Sequence, residues 1–206
     1  MRLLAIPFAI LAFHTSIQPL PKPVRAELNG KYWHQGCPVA LSQLRLLTVT
    51  HWGFDNRAHT GQLVVNARFA APLSGVFRRL YDLRFPIRHL SVADAYGPDT
   101  PADGDISGSF ECRQAVPSPC TGGTGTGHWS MHAYGEAIDL NPVENPYVGC
   151  GMSRDKSARK YMDRSRHRKG MVTYAVVQAF RSVGWGWGGA WSGNTKDYMH
   201  FSSTGH

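Results

Sequence analysis

Two short motifs near the C-terminal end of the chain contain residue types that bind metals and move protons. Residues 130–139 read S-x-H-x-x-G-x-A-x-D, and residues 197–200 read D-x-x-H. Two imidazoles and one carboxylate form the three-ligand set of a hydrolytic zinc site, which leaves one coordination position open for water. Zinc lowers the pKa of such a water to about 7, so hydroxide becomes available at neutral pH. The motifs therefore predict a zinc site with the ligands His132, Asp139 and His200, and Asp197 as a nearby base.

The elements around these motifs must bring the ligands together. Gly135 permits a tight reversal within the first motif, after which residues 137–140 read as a short, partly buried strand. Residues 196–201 alternate polar and apolar side chains, which predicts a second strand that presents His200 beside the first motif. The acid of the second motif would then lie about one strand repeat away, within reach of the attacking water.

The paired motifs resemble those of the M15 family of zinc peptidases, the D-alanyl-D-alanine carboxypeptidase-like enzymes. The runs 132–147 and 184–189 resemble its actinobacterial branch in particular, and the likeness extends from about Leu44 to Phe201. The resemblance implies one Zn²⁺ per chain on the three predicted ligands, and a hedgehog/DD-peptidase-like fold. It also makes the acid three residues before the last ligand the general base; this chain has Asp197 where several relatives carry Glu.

An upstream arginine is also implied by the resemblance, with the role of holding the substrate carbonyl and the developing oxyanion. The stretch 109–113, SFECR, matches this part of the family pattern, which makes Arg113 the candidate. A guanidinium stays protonated and offers several donors in a fixed geometry, so it suits that task.

Three residues near the motifs are predicted to contact a substrate. Ser130 is not in the Gly-x-Ser-x-Gly context of a nucleophile, so its hydroxyl is expected to orient a ligand or a substrate group. Tyr134 lies inside the first motif, and Trp187 lies in a run of glycines and tryptophans before the second. These tryptophans could line a substrate groove or fill the core, and the sequence leaves both open. Other histidines could compete as ligands, among them His34, His51, His59, His89, His128 and His206. Of these, His128 is expected to flank the site without binding the metal.

The N-terminal region resembles an export signal. The apolar run from Leu3 to Phe13 is too short to span a bilayer and has the length of a signal-peptide core. Val24-Arg25-Ala26 places small residues where a signal peptidase reads them. Residues 1–26 are therefore predicted to be a signal peptide, with a retained N-terminal anchor as the alternative. Localisation is predicted to be secreted or cell-wall associated, in the extracytoplasmic space of a bacterium.

Four cysteines in an exported chain predict two disulfides. Three connectivities are possible, and sequence alone does not choose among them. The favoured pairing is Cys112 with Cys120, which closes the shortest loop beside the candidate arginine, and Cys37 with Cys150. No Cys-x-x-Cys spacing indicates a cysteine zinc site.

The positive charge is concentrated in one segment. The chain has a formal net charge of +8, and residues 151–170 contain eight Lys and Arg against two Asp. This segment is predicted to bind anionic cell-wall polymers, with a solvated loop that has no partner as the alternative. Few aromatics are interleaved with the charges, which argues against nucleic acid binding.

The remaining pattern predicts one α+β catalytic domain over residues 44–206, preceded by an N-terminal extension at 27–43. An antiparallel sheet with packed helices is expected. The hairpin is predicted at 46–52 and 61–66, a further strand at 87–92, and two amphipathic helices, the first opening at Pro72 and the second running from Val172 to a stop at Gly184.

Together these features predict a secreted, monomeric zinc peptidase that hydrolyses peptidoglycan stem peptides. It would act either as a D,D-carboxypeptidase or as an L-alanyl-D-glutamate-type endopeptidase. Two alternatives remain: a non-catalytic zinc-containing module that binds the cell wall, and a non-haem Fe(II) oxygenase, which shares the ligand set but has no use for the extra acid.

Overall fold

A three-stranded antiparallel sheet organises the first part of the chain in the computed structural model, which describes residues 12–96 and 101–206. β1 (Thr15–Pro19) pairs with β2 (Leu44–Trp52), which pairs in turn with β3 (Ala58–Asn66). The predicted hairpin is therefore confirmed. All five side chains of β1 are exposed, whereas β2 and β3 bury most of their apolar side chains.

α2 (Ala67–Asp82) follows β3 directly and packs one apolar face against the sheet. The Asn66 side chain caps the helix by accepting a hydrogen bond from the Arg68 N–H. The prediction that the helix opens at Pro72 is wrong, because this cap starts the helix five residues earlier and the proline lies inside it. The buried face is nevertheless the predicted one, with Leu73, Val76, Phe77 and Leu80.

Two small sheets form the C-terminal part of the fold. The first has the order β4 (Ala137–Asp139), β9 (His200–Ser202), β7 (Gly186–Trp187), and the second has the order β6 (Met152–Ser153), β5 (Tyr147–Gly149), β8 (Thr195–Asp197). The single strand predicted at 196–201 is therefore two strands in different sheets. The break falls at Tyr198 and Met199, two adjacent apolar residues that interrupt the rough alternation of this segment.

α4 (Tyr174–Arg181) packs the first of these small sheets against the N-terminal half of the chain. Its first turn is capped by the Thr173 hydroxyl, and Gly184 follows with a φ of +82°, as expected of a residue that stops a helix. Phe180 stacks on Phe201 of β9 with the ring centroids 4.0 Å apart. One buried cluster thus joins the hairpin, both long helices and the strands of the predicted metal site; it includes Leu47, Val65, Phe77, Ile138, Phe180 and Phe201.

This mixture of helices and antiparallel sheets is an α+β fold, as predicted. The strand expected at 87–92 is wrong. Its backbone is held by single bonds instead of a ladder: Ile87 N–H donates to the Trp52 carbonyl, and the Leu90 carbonyl accepts from Gln62. α3 (Val92–Tyr96) begins at the end of this stretch.

The N-terminal extension packs against the rest of the fold. α1 (Lys22–Leu28) follows Leu20 and ends at Leu28. Both leucines share a buried cluster with Leu44 and Phe110. The predicted signal cleavage after Ala26 would fall inside α1, and most of the apolar run proposed as its core lies outside the described residues. The domain boundaries remain predictions. No helix in the described part of the chain is long and apolar enough to cross a membrane.

The predicted disulfide pairing is wrong. Cys37 is bonded to Cys112, and Cys120 to Cys150, with Cα–Cα distances of 5.8 and 5.3 Å. The Cys112 N–H donates to the Tyr32 carbonyl, which brings Cys112 to the extension that carries Cys37. The prediction was based on loop length, which carries no information about such a tertiary contact.

We expect peptides released by digestion without reduction to link Cys37 with Cys112 and Cys120 with Cys150, as identified by mass spectrometry. Replacing Cys120 and Cys150 together by serine should lower the free energy of unfolding by about 3–4 kcal/mol, because the disulfide closes a loop spanning 30 residues. Urea unfolding of the variant measures this loss. A peptide that links Cys112 to Cys120 would contradict the structure.

Candidate metal centre

The first candidate ligand, His132, lies in a tight 3₁₀ turn (Met131–Tyr134) whose two ends are fixed. The Ser130 hydroxyl accepts the His132 N–H at 3.3 Å, and Gly135 ends the turn with a φ of +67°. A Cβ at Gly135 would lie 2.8 Å from the backbone nitrogen of Asn66, so only glycine fits this approach to the hairpin. The predicted reversal at Gly135 is confirmed.

The imidazole of His132 is oriented by its own hydrogen bond. Nδ1 lies 2.5 Å from the Ser109 carbonyl, which can only accept, so Nδ1 carries the proton. Nε2 therefore presents its lone pair, and it is buried without a hydrogen-bond partner. A carbonyl that fixes the tautomer in this way is the usual support of a histidine that binds a metal.

Asp139 and His200 face each other directly across the β4–β9 pair. His200 Nδ1 lies 3.1 Å from Asp139 Oδ1, and His132 Nε2 lies 3.2 Å from Asp139 Oδ2 without the alignment of a hydrogen bond. Each of the three residues offers a ligand atom within 4.8 Å of those of the other two. The structure thus brings together the three residues that the motifs predict as ligands.

The charges at this cluster favour a cation. Burial acts to raise the pKa of Asp139, but the neighbouring His132 and His200 lower it overall, so the carboxylate stays ionised. His200 Nε2, like His132 Nε2, is buried without a hydrogen-bond partner. Buried polar atoms are rarely left unpaired. Two nitrogens and a carboxylate that converge on one point are a donor set that fits zinc.

Asp197 ends β8, where it faces Tyr147 of β5. Its Oδ1 is buried without a hydrogen-bond partner. Burial, and then repulsion from Asp139, raise the pKa of Asp197 to about 7. A carboxyl group with a pKa near neutrality is well suited to accept and return a proton.

Arg113 lies at the same cleft, as predicted. Its side chain is 31% exposed, and its positive charge acts to lower the pKa of Asp197. Nε donates to Glu111 Oε2 at 2.7 Å. The guanidinium is therefore both fixed and accessible, which the task of binding a carbonyl requires.

Two hollows adjoin the ligand cluster. The larger, about 370 Å³, is lined by all three ligands together with Asp197 and Arg113, and has a largely apolar wall. The smaller, about 220 Å³, shares Arg113, His132 and Asp139 with it. The two hollows are therefore neighbours at the candidate ligands. Aromatic residues line both, with Trp129, Tyr147 and Trp191 in the larger hollow and Tyr32 in the smaller.

Of the three predicted substrate-binding residues, one lines a hollow and two do not. Ser130 lines the larger hollow, although its hydroxyl is engaged in capping the turn. Tyr134 instead packs against the N-terminal buried cluster. The Trp187 indole donates to the Tyr198 carbonyl at 2.9 Å and packs against the main core, so it corresponds to the core-filling alternative. Neither Tyr134 nor Trp187 lines the two hollows.

Sequence reasoning missed the aromatic residues that do line the cleft. Trp129 immediately precedes the first motif, and Trp191 belongs to the same tryptophan run as Trp187. Their closeness in sequence to the motifs was the signal that could have identified them. Tyr32 could not be found this way, because it belongs to the N-terminal extension. His128, predicted not to be a ligand, is outside the three-residue cluster.

A second group of metal-binding residue types consists of His34, Cys37 and Cys112. Both cysteines are joined in a disulfide, which leaves His34 as the only available ligand of the three. His51, His59 and His89 line a separate hollow on the hairpin side. The cluster around Asp139 is therefore the metal-binding candidate in the described part of the chain.

Comparison with known proteins gives one family. The family model of the M15 peptidases described as D-alanyl-D-alanine carboxypeptidase matches residues 124–203. The search of curated proteins and the search of solved structures each find no significant match. The matched region starts after Arg113, so the place of that residue rests on the geometry above. The match covers residues 124–203, which carry all three candidate ligands and the buried acid beside them, and it supports an M15 peptidase assignment for this region.

Proposed function

We propose that the protein is a secreted zinc-dependent peptidase that hydrolyses the stem peptides of peptidoglycan. The observation that carries the proposal is the convergence of three candidate metal ligands with Asp197, whose buried Oδ1 has no hydrogen-bond partner, in one open cleft. The family supports a peptidase of the carboxypeptidase type. A hedgehog/DD-peptidase-like fold, export to the cell wall and a monomeric state belong to the same proposal.

The proposed chemistry divides among few residues. His132, Asp139 and His200 would hold the zinc, which when bound supplies a Lewis acid and lowers the pKa of water. Asp197 would accept the proton of the attacking water and deliver it to the nitrogen of the leaving amine. Arg113 would donate hydrogen bonds to the scissile carbonyl and stabilise the negative charge that develops on its oxygen.

The cleft admits both reactions of the proposal. A D,D-carboxypeptidase would place a single residue on the leaving side, whereas an L-alanyl-D-glutamate-type endopeptidase would fill both hollows. Asp197 favours a peptidase over the two alternatives, a wall-binding module without catalysis and a non-haem Fe(II) oxygenase. Neither of these needs a base three residues before the last ligand.

Replacing Asp197 by alanine should lower the rate of stem-peptide hydrolysis by about 10²- to 10⁴-fold, because the general base is lost while the ligands remain. The measurement is digestion of purified peptidoglycan, with products identified by mass and zinc content by elemental analysis. Asp82→Asn is the matched control, since it removes an acid from an exposed ion pair on α2. The product masses also distinguish release of a single D-residue from a cut within the stem.

Equal product release by the wild type and Asp197→Ala would contradict the role of the base. Zinc binding without any hydrolysis would support the wall-binding module instead. Iron in place of zinc, with turnover that depends on oxygen, would support the oxygenase.

The raised pKa of Asp197 also predicts a pH dependence of stability in the metal-free protein. The folded state holds this proton up to about pH 7, whereas an ordinary carboxyl group releases it near 3.8. The contribution of Asp197 to stability is therefore fully present below about pH 4 and is lost as the pH rises to about 7. Asp197→Asn cannot titrate, so the wild type should lose stability relative to this variant over that interval. Thermal melts in the presence of a chelator measure the difference, and parallel curves would contradict it.

We further propose that the segment 151–170 binds anionic polymers of the cell wall. The basic surface, as we call its seven exposed cations, consists of Arg154, Lys156, Arg159, Lys160, Arg166, Arg168 and Lys169. The segment is anchored to the fold, because the partly buried Arg164 donates to the Glu144 carbonyl at 2.9 Å and Tyr161 donates to the Glu144 carboxylate at 3.3 Å. Because these hydrogen bonds hold the segment against the fold, they favour an ordered basic surface over a freely solvated loop.

Charge reversal at Lys156 and Lys160 should weaken binding to isolated cell walls and release the protein at lower salt. The reason is that exposed charges act over a Debye length of about 10 Å at 0.1 M salt and only about 3 Å at 1 M. Sedimentation with walls across a salt series measures the bound fraction. Arg79→Glu with Arg181→Glu makes the same change in net charge on exposed positions of α2 and α4 and should behave like the wild type. An equal loss of wall binding in both variants would mean that the net charge of the protein, and not the basic surface, determines binding. Wall binding that does not change with salt would contradict the proposed role of the basic surface.

A further inference from the structure

Glu111 lies two residues before Arg113 and contacts its side chain. Arg113 Nε donates to Glu111 Oε2 at 2.7 Å, and Arg113 Nη1 donates to the Gln114 carbonyl at 3.2 Å. Both residues line the smaller hollow together with two of the candidate ligands. Nε and one Nη1 hydrogen are engaged in these bonds, so Nη2 and the second Nη1 hydrogen are the donors that remain for a substrate carbonyl.

The backbone around this pair is tied to the candidate metal centre. Glu111 N–H donates to the His132 carbonyl at 3.2 Å, and Ser130 N–H donates to the Arg113 carbonyl at 3.1 Å. Cys112, between the two, is held by its disulfide to Cys37. The acid, the arginine and the turn that carries His132 therefore form one connected unit.

The exposure of the pair shows that stability is not its main effect. The Glu111 and Arg113 side chains are 44% and 31% exposed, and ion pairs so open to solvent add little to the stability of a fold. A guanidinium on a long side chain, however, has many rotamers, and one misplaced by about 1 Å can cost about 10²-fold in rate. The contact restricts the position of the guanidinium, whereas its contribution to the stability of the fold is small.

We propose that Glu111 is a positioning residue, which holds Arg113 with Nη2 available to the substrate carbonyl beside the metal ligands. This inference rests on the proposed peptidase function, because it gives Arg113 a carbonyl to bind. The acid acts only through the arginine and takes no part in proton transfer.

The test compares Glu111→Ala, Glu111→Gln, Arg113→Ala and the double variant Glu111→Ala/Arg113→Ala in steady-state hydrolysis of a stem peptide. Glu111→Ala should lower kcat by about three- to fivefold with little change in KM, because an exposed pair worth up to about 1 kcal/mol can bias the position of the arginine only to that extent, and Arg113→Ala should lower it by about 10²- to 10³-fold. Glu111→Gln keeps an acceptor oxygen at the same reach, so its kcat should lie within about twofold of the wild type. The double variant should be no slower than Arg113→Ala alone, since the acid acts through the arginine.

Two further readouts separate positioning from a structural role. The melting temperature and zinc content of Glu111→Ala should match those of the wild type, as they should for the control Asp82→Asn. In spectra of ¹⁵N-labelled protein, the Nε–H signal of Arg113 should shift in Glu111→Ala and stay near its wild-type position in Glu111→Gln. This signal reports the contact without any need for turnover.

Three results would overturn the proposal while leaving the peptidase function intact. These are a kcat of Glu111→Ala within twofold of the wild type, independent losses that multiply in the double variant, and an unchanged Arg113 signal in Glu111→Ala. A wild type that takes up zinc and hydrolyses no stem peptide would instead overturn the proposed function, and this inference with it.

Discussion

The candidate metal centre depends on the backbone pairing of one residue, Asp139. Its strand pairs with His200 on one side, and its own N–H and carbonyl exchange hydrogen bonds with Gly108 on the other. The carboxylate is thereby fixed between two imidazoles, each of which approaches a different oxygen. Without this pairing the ligands would belong to separate loops, and the entropy of ordering them would oppose metal binding.

The hairpin, though distant in sequence, supports that pairing. Asn66 caps α2 with its side-chain oxygen, donates from its side-chain nitrogen to the Tyr134 carbonyl and from its backbone to the Gly135 carbonyl. One residue thus joins the end of β3, the start of α2 and the turn that carries His132. The N-terminal extension contributes as well, through Tyr32 in the wall of the smaller hollow and through the disulfide of Cys37. The cleft is therefore built from the N-terminal extension as well as from the predicted catalytic domain. The predicted boundary between these two segments does not mark the limit of the residues that form the site.

Sequence reasoning predicted the elements with strong local signals and failed where tertiary contacts decide. The hairpin and α4 were predictable from period and caps, and the ligands from spacing within two motifs. The helix start at Asn66 was missed because a proline was weighted above a capping side chain, and the disulfides because loop length says nothing about which backbones lie side by side. Trp187 shows the same limit: a tryptophan among glycines can face a cleft or a core, and only the packing against Phe201 decides.

The separation of β8 and β9 into different sheets has a mechanical consequence. Asp197 is paired with β5, whereas His200 is paired with β4, and Tyr198 and Met199 join the two residues along the chain. The distance between Asp197 and the candidate ligands is therefore set by how two sheets pack against each other, and no single strand fixes it. In the proposed peptidase, a change in the packing of the two sheets would alter the reach of the base and leave the pairing of Asp139 with His200 unchanged.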